Sequence, residues 1–392
     1  MRILRVIRSL DPAEGGPVEG MLRSSVVLRD LGHETQIASL DRPGVPWVEN
    51  QPFRVHPLGP GTRLYRFSPA LVRWLRVEAA KFDAVIVHGL WNFASVGSWL
   101  GLAGARTPYF VFTHGMLDPW FNRAYPLKRW VKQAFWLACE GRVLRDAEAV
   151  LFTTEEEQRR ARGSFWGYQY NGRTIAYGTA DVPTDEDLQR GAIHALLPNL
   201  GGRSYLLFLS RIHPKKGCDL LVRAFAACAA GMANVDLVIA GPDQVGWKKE
   251  LQLLASSLGI AERVHWPGML TGPAKWGAFR GASAFVLPSH QENFGIVVAE
   301  AMSCGLPVLV TNKVNTWREV DASGSGFVEN DDLEGVERLI RRFVDLPAQE
   351  KLHMSRRARQ CFLEKFNVEA SAHDLLRVIT EAVAVRTAGN RH

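Results

Sequence analysis

The stretch His290 to Val308, HQENFGIVVAEAMSCGLPV, carries two carboxylates, Glu292 and Glu300, eight positions apart around the start of a short apolar helical pattern. Ionised carboxylates only accept hydrogen bonds, which suits them to gripping vicinal hydroxyls. With every intervening residue helical, the axial rise between the two would be about 12 Å. A retaining hydrolase holds its carboxylate pair about 5 Å apart, so this spacing instead suits two hydroxyl-rich groups flanking a diphosphate, a sugar on one side and a ribose on the other. The amides near Phe294, Gly295 and Ile296 would form the first turn of that helix, where unpaired N–H groups and the helix dipole attract anions. Gly295 lets the backbone approach a phosphate closely. Upstream, SYLLFLS (204–210) runs into Arg211, His213, Lys215, Lys216 and Gly217. A planar Arg fork with a flexible Lys is a suitable clamp for a diphosphate, stabilising negative charge as a sugar bond breaks. The alternative for this segment alone is a solvated basic loop.

Other reactive residue types are more ambiguous. His88 and His114 each follow a strand-like run, where a histidine is as often a structural hydrogen-bonder as a catalyst. Asp118 has the chemistry of a general base, but an Asp before Pro more often makes a turn. Asp185-Glu186-Asp187 satisfies the DxD pattern of metal-dependent transferases, yet it follows no strand. A solvated acidic turn is the better reading, and no bound metal is expected.

Strands and helices must place these residues. Apolar runs at 3–7, 83–89, 108–115 and 149–154 are each followed by a turn and a helical pattern. Continuous apolar strands alternating with helices indicate parallel sheets covered on both faces. The pattern stops between Gly178 and Gly202, rich in turn formers, and restarts with strands near 204–210, 235–241, 263–268, 284–289 and 306–312. The expected architecture is α/β, with two doubly wound, Rossmann-like domains facing a central cleft. Residues 1–183 and 204–370 would be the domains and 184–203 the linker, with a final helix over 371–392 packing back on the N-terminal domain. Ligands of such sheets bind beyond the carboxyl ends of the strands, where both clusters of the opening stretch fall.

A chain of 392 residues, 47% hydrophobic and 22% charged, is long enough for two cores and shows no disorder signature. The start MRILRVIRSLDPAEGG is interrupted by arginines and lacks a signal-peptide core, and no run of about 18 uncharged apolar residues appears. Five cysteines without a CxxC spacing fit reduced thiols, and a cytoplasmic location is expected. The net charge of +7 lies mostly in the first half, with 23 Lys/Arg against 17 Asp/Glu over residues 1–183. That excess suits a polyanionic partner.

Taken together, Arg211 and Lys216, the E-x7-E of Glu292 and Glu300, and the following AMSCGLPVLVT resemble the donor site of retaining GT-B glycosyltransferases of family 4. The resemblance covers nearly the whole chain: EGGPVEGMLRSSVVLRDLGHE is similar to the family's glycine loop, and AGPD (240–243) to its strand-end turn. HGMLDPW (114–120) and VNTWREV (314–320) resemble the enzymes that build bacterial exopolysaccharide or capsule repeat units. The resemblance implies a nucleotide-sugar donor, GDP- or UDP-linked, and a glycan or lipid-linked acceptor. It implies that Gly15 and Gly16 lie against the leaving diphosphate, which Arg211 and Lys216 neutralise. Glu292 would bind donor-sugar hydroxyls, with the Phe294, Gly295 and Ile296 backbone close to sugar and phosphate, and Glu300 the ribose diol. His114 would face the reacting sugar, in part through its backbone carbonyl. The family retains anomeric configuration by same-face attack, the departing phosphate oxygen helping to deprotonate the acceptor, with no cofactor and no metal. Where the family often has glycines after the strand ending at Thr311, this chain has Asn312, Lys313, Val314 and Asn315, which puts those phosphate contacts and the choice of base in doubt.

Two stretches, 63–81 and 120–136, mix arginine and lysine with aromatics in helical patterns. They suit contact with an anionic membrane surface, which would hold the enzyme at the inner face of the cell membrane near a lipid-linked acceptor. The alternative is that these aromatics are core. A nucleic-acid-binding protein is the rival from another class, but no recognised RNA or DNA module appears, and no nucleic-acid partner is expected. Among enzymes, a nucleotide-sugar epimerase is the runner-up; a glycan phosphorylase would need a cofactor-lysine motif that is not found.

Overall fold

The computed structural model describes residues 1–61, 65–119 and 126–389, with the backbone alone for 126–128 and 387–389. It forms two compact units, one comprising residues 1–178 with 368–392 and the other residues 179–367.

The first unit is built on a seven-stranded parallel sheet in the order β3-β2-β1-β4-β5-β6-β7. Its strands are β1 (Arg2–Ile7), β2 (Glu34–Ser39), β3 (Arg54–Pro57), β4 (Ala84–His88), β5 (Tyr109–Phe112), β6 (Ala149–Phe152) and β7 (Gly172–Thr174). Alternate residues of each strand feed opposite faces, as the period of two requires. Leu4, Val6, Val85, Val87, Val111 and Val150 join one buried cluster, whereas Ile3, Ala84, Ile86, Phe110 and Leu151 join another. With both faces covered, these strands read as continuous apolar runs. The second face is closed by the helix Val368–Gly389, whose Ala372, Leu375 and Ile379 are buried in the same cluster.

The second unit carries a six-stranded parallel sheet, β10-β9-β8-β11-β12-β13. The strands are β8 (Ser204–Leu209), β9 (Val235–Ala240), β10 (Val264–Gly268), β11 (Ala284–Leu287), β12 (Val308–Thr311) and β13 (Gly326–Glu329). In the unit's own numbering that order is 3-2-1-4-5-6, the doubly wound arrangement whose ligand crevice opens between the first and fourth strands. Here that point lies between β8 and β11.

The stretch read as a linker is structured. Glu186–Leu196 is a helix packed against the helix Gly272–Gly281, and it belongs to the second unit, which begins at Thr179. Its acidic start has structural uses: Asp185 caps the helix by accepting from the Leu188 amide at 3.1 Å, and Glu186 pairs with Arg280 at 2.7 Å. β2, β3, β7 and β13 had no strand signal. β2 reads ETQIAS, and its Thr35 and Gln36 are buried between neighbouring strands despite their polarity.

Candidate active site

In the second unit the site grows from the loops that leave β8 and β11. Pro214–Lys216 forms a single tight turn after β8, closed by Gly217 at φ 66°. A side chain at Gly217 would meet the Pro288 carbonyl oxygen at 2.1 Å, so the two loops touch backbone to backbone and only glycine fits. The His290 amide donates to the Lys215 carbonyl at 2.8 Å and stitches the loops together. Lys216 is thereby held inside, 6% exposed, with Nζ in an ion pair with Glu292 Oε2. His213 beside it is pushed below its usual range, first by burial and then by the neighbouring Lys215, Arg211 and Lys216.

Glu292 lies on extended backbone rather than on a helix. Its amide donates to the Lys313 carbonyl at 3.0 Å, and its carbonyl accepts from the Asn315 amide at 3.1 Å. The helix begins only at Ile296 and ends at Ser303, with Gly295 capping it at φ 69°. The 12 Å all-helical spacing therefore does not apply, because residues 292–295 are not helical. A side chain at Gly295 would come within 3.2 Å of Glu292 Cγ, so this glycine both turns the chain and makes room for the carboxylate. Phe294 is buried, its ring edge-on to Phe366 at 5.6 Å. Glu300 sits one helical turn further on, 1% exposed, and pairs with Lys275 at 2.6 Å. Nothing in the sequence singled out Lys275, because the pairing joins elements 25 positions apart. Arg211 is exposed, its guanidinium 3.3 Å from Gln244 in the loop after β9.

The turn after β12, where the chain departs from the expected glycines, braces this arrangement. Asn315 Nδ2 donates to Asn293 Oδ1 at 3.3 Å, in addition to its backbone bond to Glu292. Asn315 and Thr316 are each 1% exposed, and among the described residues Asn315 Oδ1 and Thr316 Oγ1 are buried without a partner, as is Ser289 Oγ just after β11. Unsatisfied buried polar atoms cost about 1–3 kcal/mol each, and such groups gather where a ligand or water completes them.

In the first unit, the carboxyl ends of β1, β4 and β5 surround a cavity of about 300 Å³ lined by Arg8, Ser9, Glu14, His88, Asn92 and His114. His114 adopts φ 48°, left-handed and uncommon for a residue with a side chain. Glu157, which no motif marked, holds it there. Its Oε1 accepts from Thr113 Oγ1 and from the Gly115 amide, both at 2.6 Å, while its Oε2 accepts from the Thr153 amide and hydroxyl at 2.7 and 2.6 Å. Burial, reinforced by the Arg5 cation, pushes His114 down to about 3, so the ring is neutral. Gly15 caps the helix Gly16–Asp30, and Tyr177 donates its hydroxyl to the carbonyls of Gly16 and Pro17 at 3.1 and 2.8 Å. Asp118 lies in a turn, its amide bonded to the Gly115 carbonyl, with Arg160 at 3.6 Å.

The predicted residues thus gather in two places. Lys216, Glu292, Phe294, Gly295, Ile296 and Glu300, with Arg211 at the rim, stand at the β8/β11 switch point. His114 belongs to the first unit, with Gly15 and Gly16 at the start of its first long helix. Of the basic-aromatic stretches, residues 62–64 and 120–125, including Arg63 and Arg123, lie outside the described residues, as does the Lys128 side chain. Within the rest, Arg66 turns inward to Asp41 at 3.3 Å and Trp136 is core, whereas Trp130 and Val131 are exposed. No described helix is long and apolar enough to cross a membrane.

Residues 15–178 match the family described as glycosyl transferase 4-like domain, and residues 191–361 the one described as glycosyl transferases group 1. Relatives include D-inositol 3-phosphate glycosyltransferases. That of Actinosynnema mirum is 41% identical over 241 residues, 60% of this chain and 57% of the relative. That of Salinispora tropica is 33% identical over 196 residues, 47% of this chain and 40% of the relative. The chain therefore spans about half the length of the curated relatives it matches. Among solved structures, Anabaena HepE in complex with UDP is similar with a TM-score of 0.75 at 19% identity, covering 97% of this chain and all of that one. Sucrose-phosphate synthase from Thermosynechococcus elongatus gives 0.77 at 20% identity, covering 98% of this chain and all of that one. With its two parallel-sheet units and a family match on each, the chain belongs to the group 1, 4-like glycosyltransferases of GT-B fold.

Proposed function

We propose that the protein transfers a hexose from a UDP- or GDP-linked donor to a hydroxyl of a glycan or lipid-linked acceptor, with retention of anomeric configuration and no metal ion, in bacterial surface polysaccharide synthesis. The observation that carries this reading is the buried Lys216 held by Glu292 at the β8/β11 switch point, beside the Gly295-capped helix. A cation and a helix N-terminus at that place suit a diphosphate, and a carboxylate beside them suits sugar hydroxyls. Arg211 and Lys216 would neutralise the leaving diphosphate in place of a divalent ion. Glu300, backed by Lys275, would accept from the ribose diol. The UDP bound in the similar HepE structure favours a uridine donor.

Calorimetric titration with UDP, GDP and their sugars tests the donor. Glu292→Ala should abolish transfer while nucleotide diphosphate still binds, and unchanged turnover would remove Glu292 from the mechanism. Proton NMR of the product anomeric centre tests retention. The relatives' names favour a second acceptor reading, a phosphorylated polyol. A panel setting inositol phosphate against lipid-linked and soluble glycans separates the two. The exposed Trp130 and Val131, with Arg129 beside them, support contact with an anionic bilayer. Equal flotation with neutral and anionic vesicles would count against it.

A further inference from the structure

The first unit contains a chain of three polar side chains that runs from the middle of its sheet to the cavity. Arg5, on β1, is 1% exposed and pairs with no carboxylate among the described residues; Nη2 donates to Ser24 Oγ at 3.0 Å, and Nη1 lies 3.3 Å from Nε2 of His88. His88 ends β4, 2% exposed, and its Nδ1 lies 3.1 Å from Nε2 of His114. The two imidazoles stack at 5.3 Å with 16° between planes, and Phe112 stacks on both at 5.5 Å. Among the described residues nothing bonds Nδ1 of His114, which lines the cavity of about 300 Å³ with Arg8, Ser9 and Asn92.

The donor inventory orients the whole chain. A guanidinium has donors only, so the His88 nitrogen facing Arg5 must accept. Both rings are neutral, for burial and the Arg5 charge push His88 well below its usual range and His114 down to about 3. A neutral imidazole that accepts at Nε2 carries its proton on Nδ1. His88 therefore donates from Nδ1 to Nε2 of His114, and the same rule puts the His114 proton on Nδ1, on the atom left for a ligand. We propose that Arg5 and His88 are positioning residues that hold His114 as the Nδ1–H tautomer, so that His114 serves the site as a hydrogen-bond donor to a substrate oxygen and not as a base. Its Nε2 lone pair is already taken by His88, and its Nδ1 has none to offer. The oxygen's identity, a donor-sugar hydroxyl or a diphosphate oxygen, rests on the transferase reading; the tautomer does not.

The test uses the full chain labelled with 15N-histidine. Long-range proton–nitrogen correlation should show His114 with a protonated Nδ1 and a bare Nε2, assigned by the loss of its signals in His114→Ala. In His88→Phe, which keeps the stacking area but breaks the chain, His114 should shift toward the Nε2–H form. His88→Gln supplies an amide that accepts at oxygen and donates at nitrogen and should keep the wild-type pattern. With nucleotide sugar, His88→Phe should lose kcat on the order of 10-fold with little change in donor KM, and His88→Gln should recover most of it. Thermal unfolding establishes that both variants are folded. An Nε2–H tautomer in the wild type, or a His114 pattern indifferent to His88→Phe, overturns the proposal. The expected tautomers in a chain that turns over no nucleotide sugar would uphold this network and sink the transferase reading instead.

Discussion

Glu300 is buried inside the second unit, and Lys275 reaches it from the preceding helix at 2.6 Å. Removing one partner of a buried pair leaves an uncompensated charge, which costs several kcal/mol. Lys275→Met should destabilise the second unit by roughly 3 kcal/mol in urea unfolding, and adding Glu300→Gln should recover part of that; a loss under about 1 kcal/mol would show the carboxylate to be solvated after all. Glu140 shows the opposite case. It is fully buried, accepts at Oε1 from the Trp91 amide and the Ser95 hydroxyl at 2.7 Å, and leaves Oε2 without a partner among the described residues. Burial raises it from 4.5 to about 7. The folded state then keeps a proton that the unfolded chain releases near pH 4.5, so this group's contribution to stability is full below that pH and is lost as pH rises through about 7. The melting temperature of the wild type should fall over that window relative to Glu140→Gln, and parallel curves would refute the assignment.

Elements set the next constraint. The helix Ile296–Ser303 can follow an extended Glu292 only because Gly295 turns the chain at φ 69°. A left-handed residue with a side chain costs roughly 1–2 kcal/mol, and the added methyl would press on Glu292 Cγ at 3.2 Å. Gly295→Ala should therefore lower stability by about that amount and weaken donor binding as well. Calorimetry that finds donor affinity unchanged would separate the turn from the site. Strands were legible wherever both faces are covered, as in AVIVH of β4 and VDLVIA of β9, because continuous apolar sequence has few other uses at that length. ETQIAS of β2 was not, since it buries the polar Thr35 and Gln36, and Gln36 meets His56 of the neighbouring strand at 2.7 Å only once the sheet has formed. The helix Glu186–Leu196 was read as linker for a related reason. Its turn-forming start is a cap, and its apolar side is explained only by the helix Gly272–Gly281.

Across the whole chain, the C-terminal helix ties residues 368–389 to the first unit. Ile379 is fully buried there and Leu375 nearly so, against Ile3, Ile86 and Phe110 of the sheet. A charge at this position has no partner and would cost several kcal/mol. Ile379→Asp should release the helix, seen as rapid proteolytic cleavage just after residue 367 and a lower first unfolding transition. Protease resistance equal to the wild type would show that the unit closes without it.

Composition and strand periodicity determined by themselves that this is a tandem α/β chain, and the placement of cations and carboxylates after strands pointed to its second half for the diphosphate site proposed above. Those signals are local, arising from a side-chain period of two, from turn residues and from residue type at a strand end. Tertiary structure alone decided that Lys216 meets Glu292 over a separation of 76 positions, that Lys275 neutralises Glu300, and that Arg5, His88 and His114 form one hydrogen-bonded chain. Such contacts follow from strand order, which brings distant loops to one end of a sheet, and no local pattern in the sequence encodes which residues will then face each other.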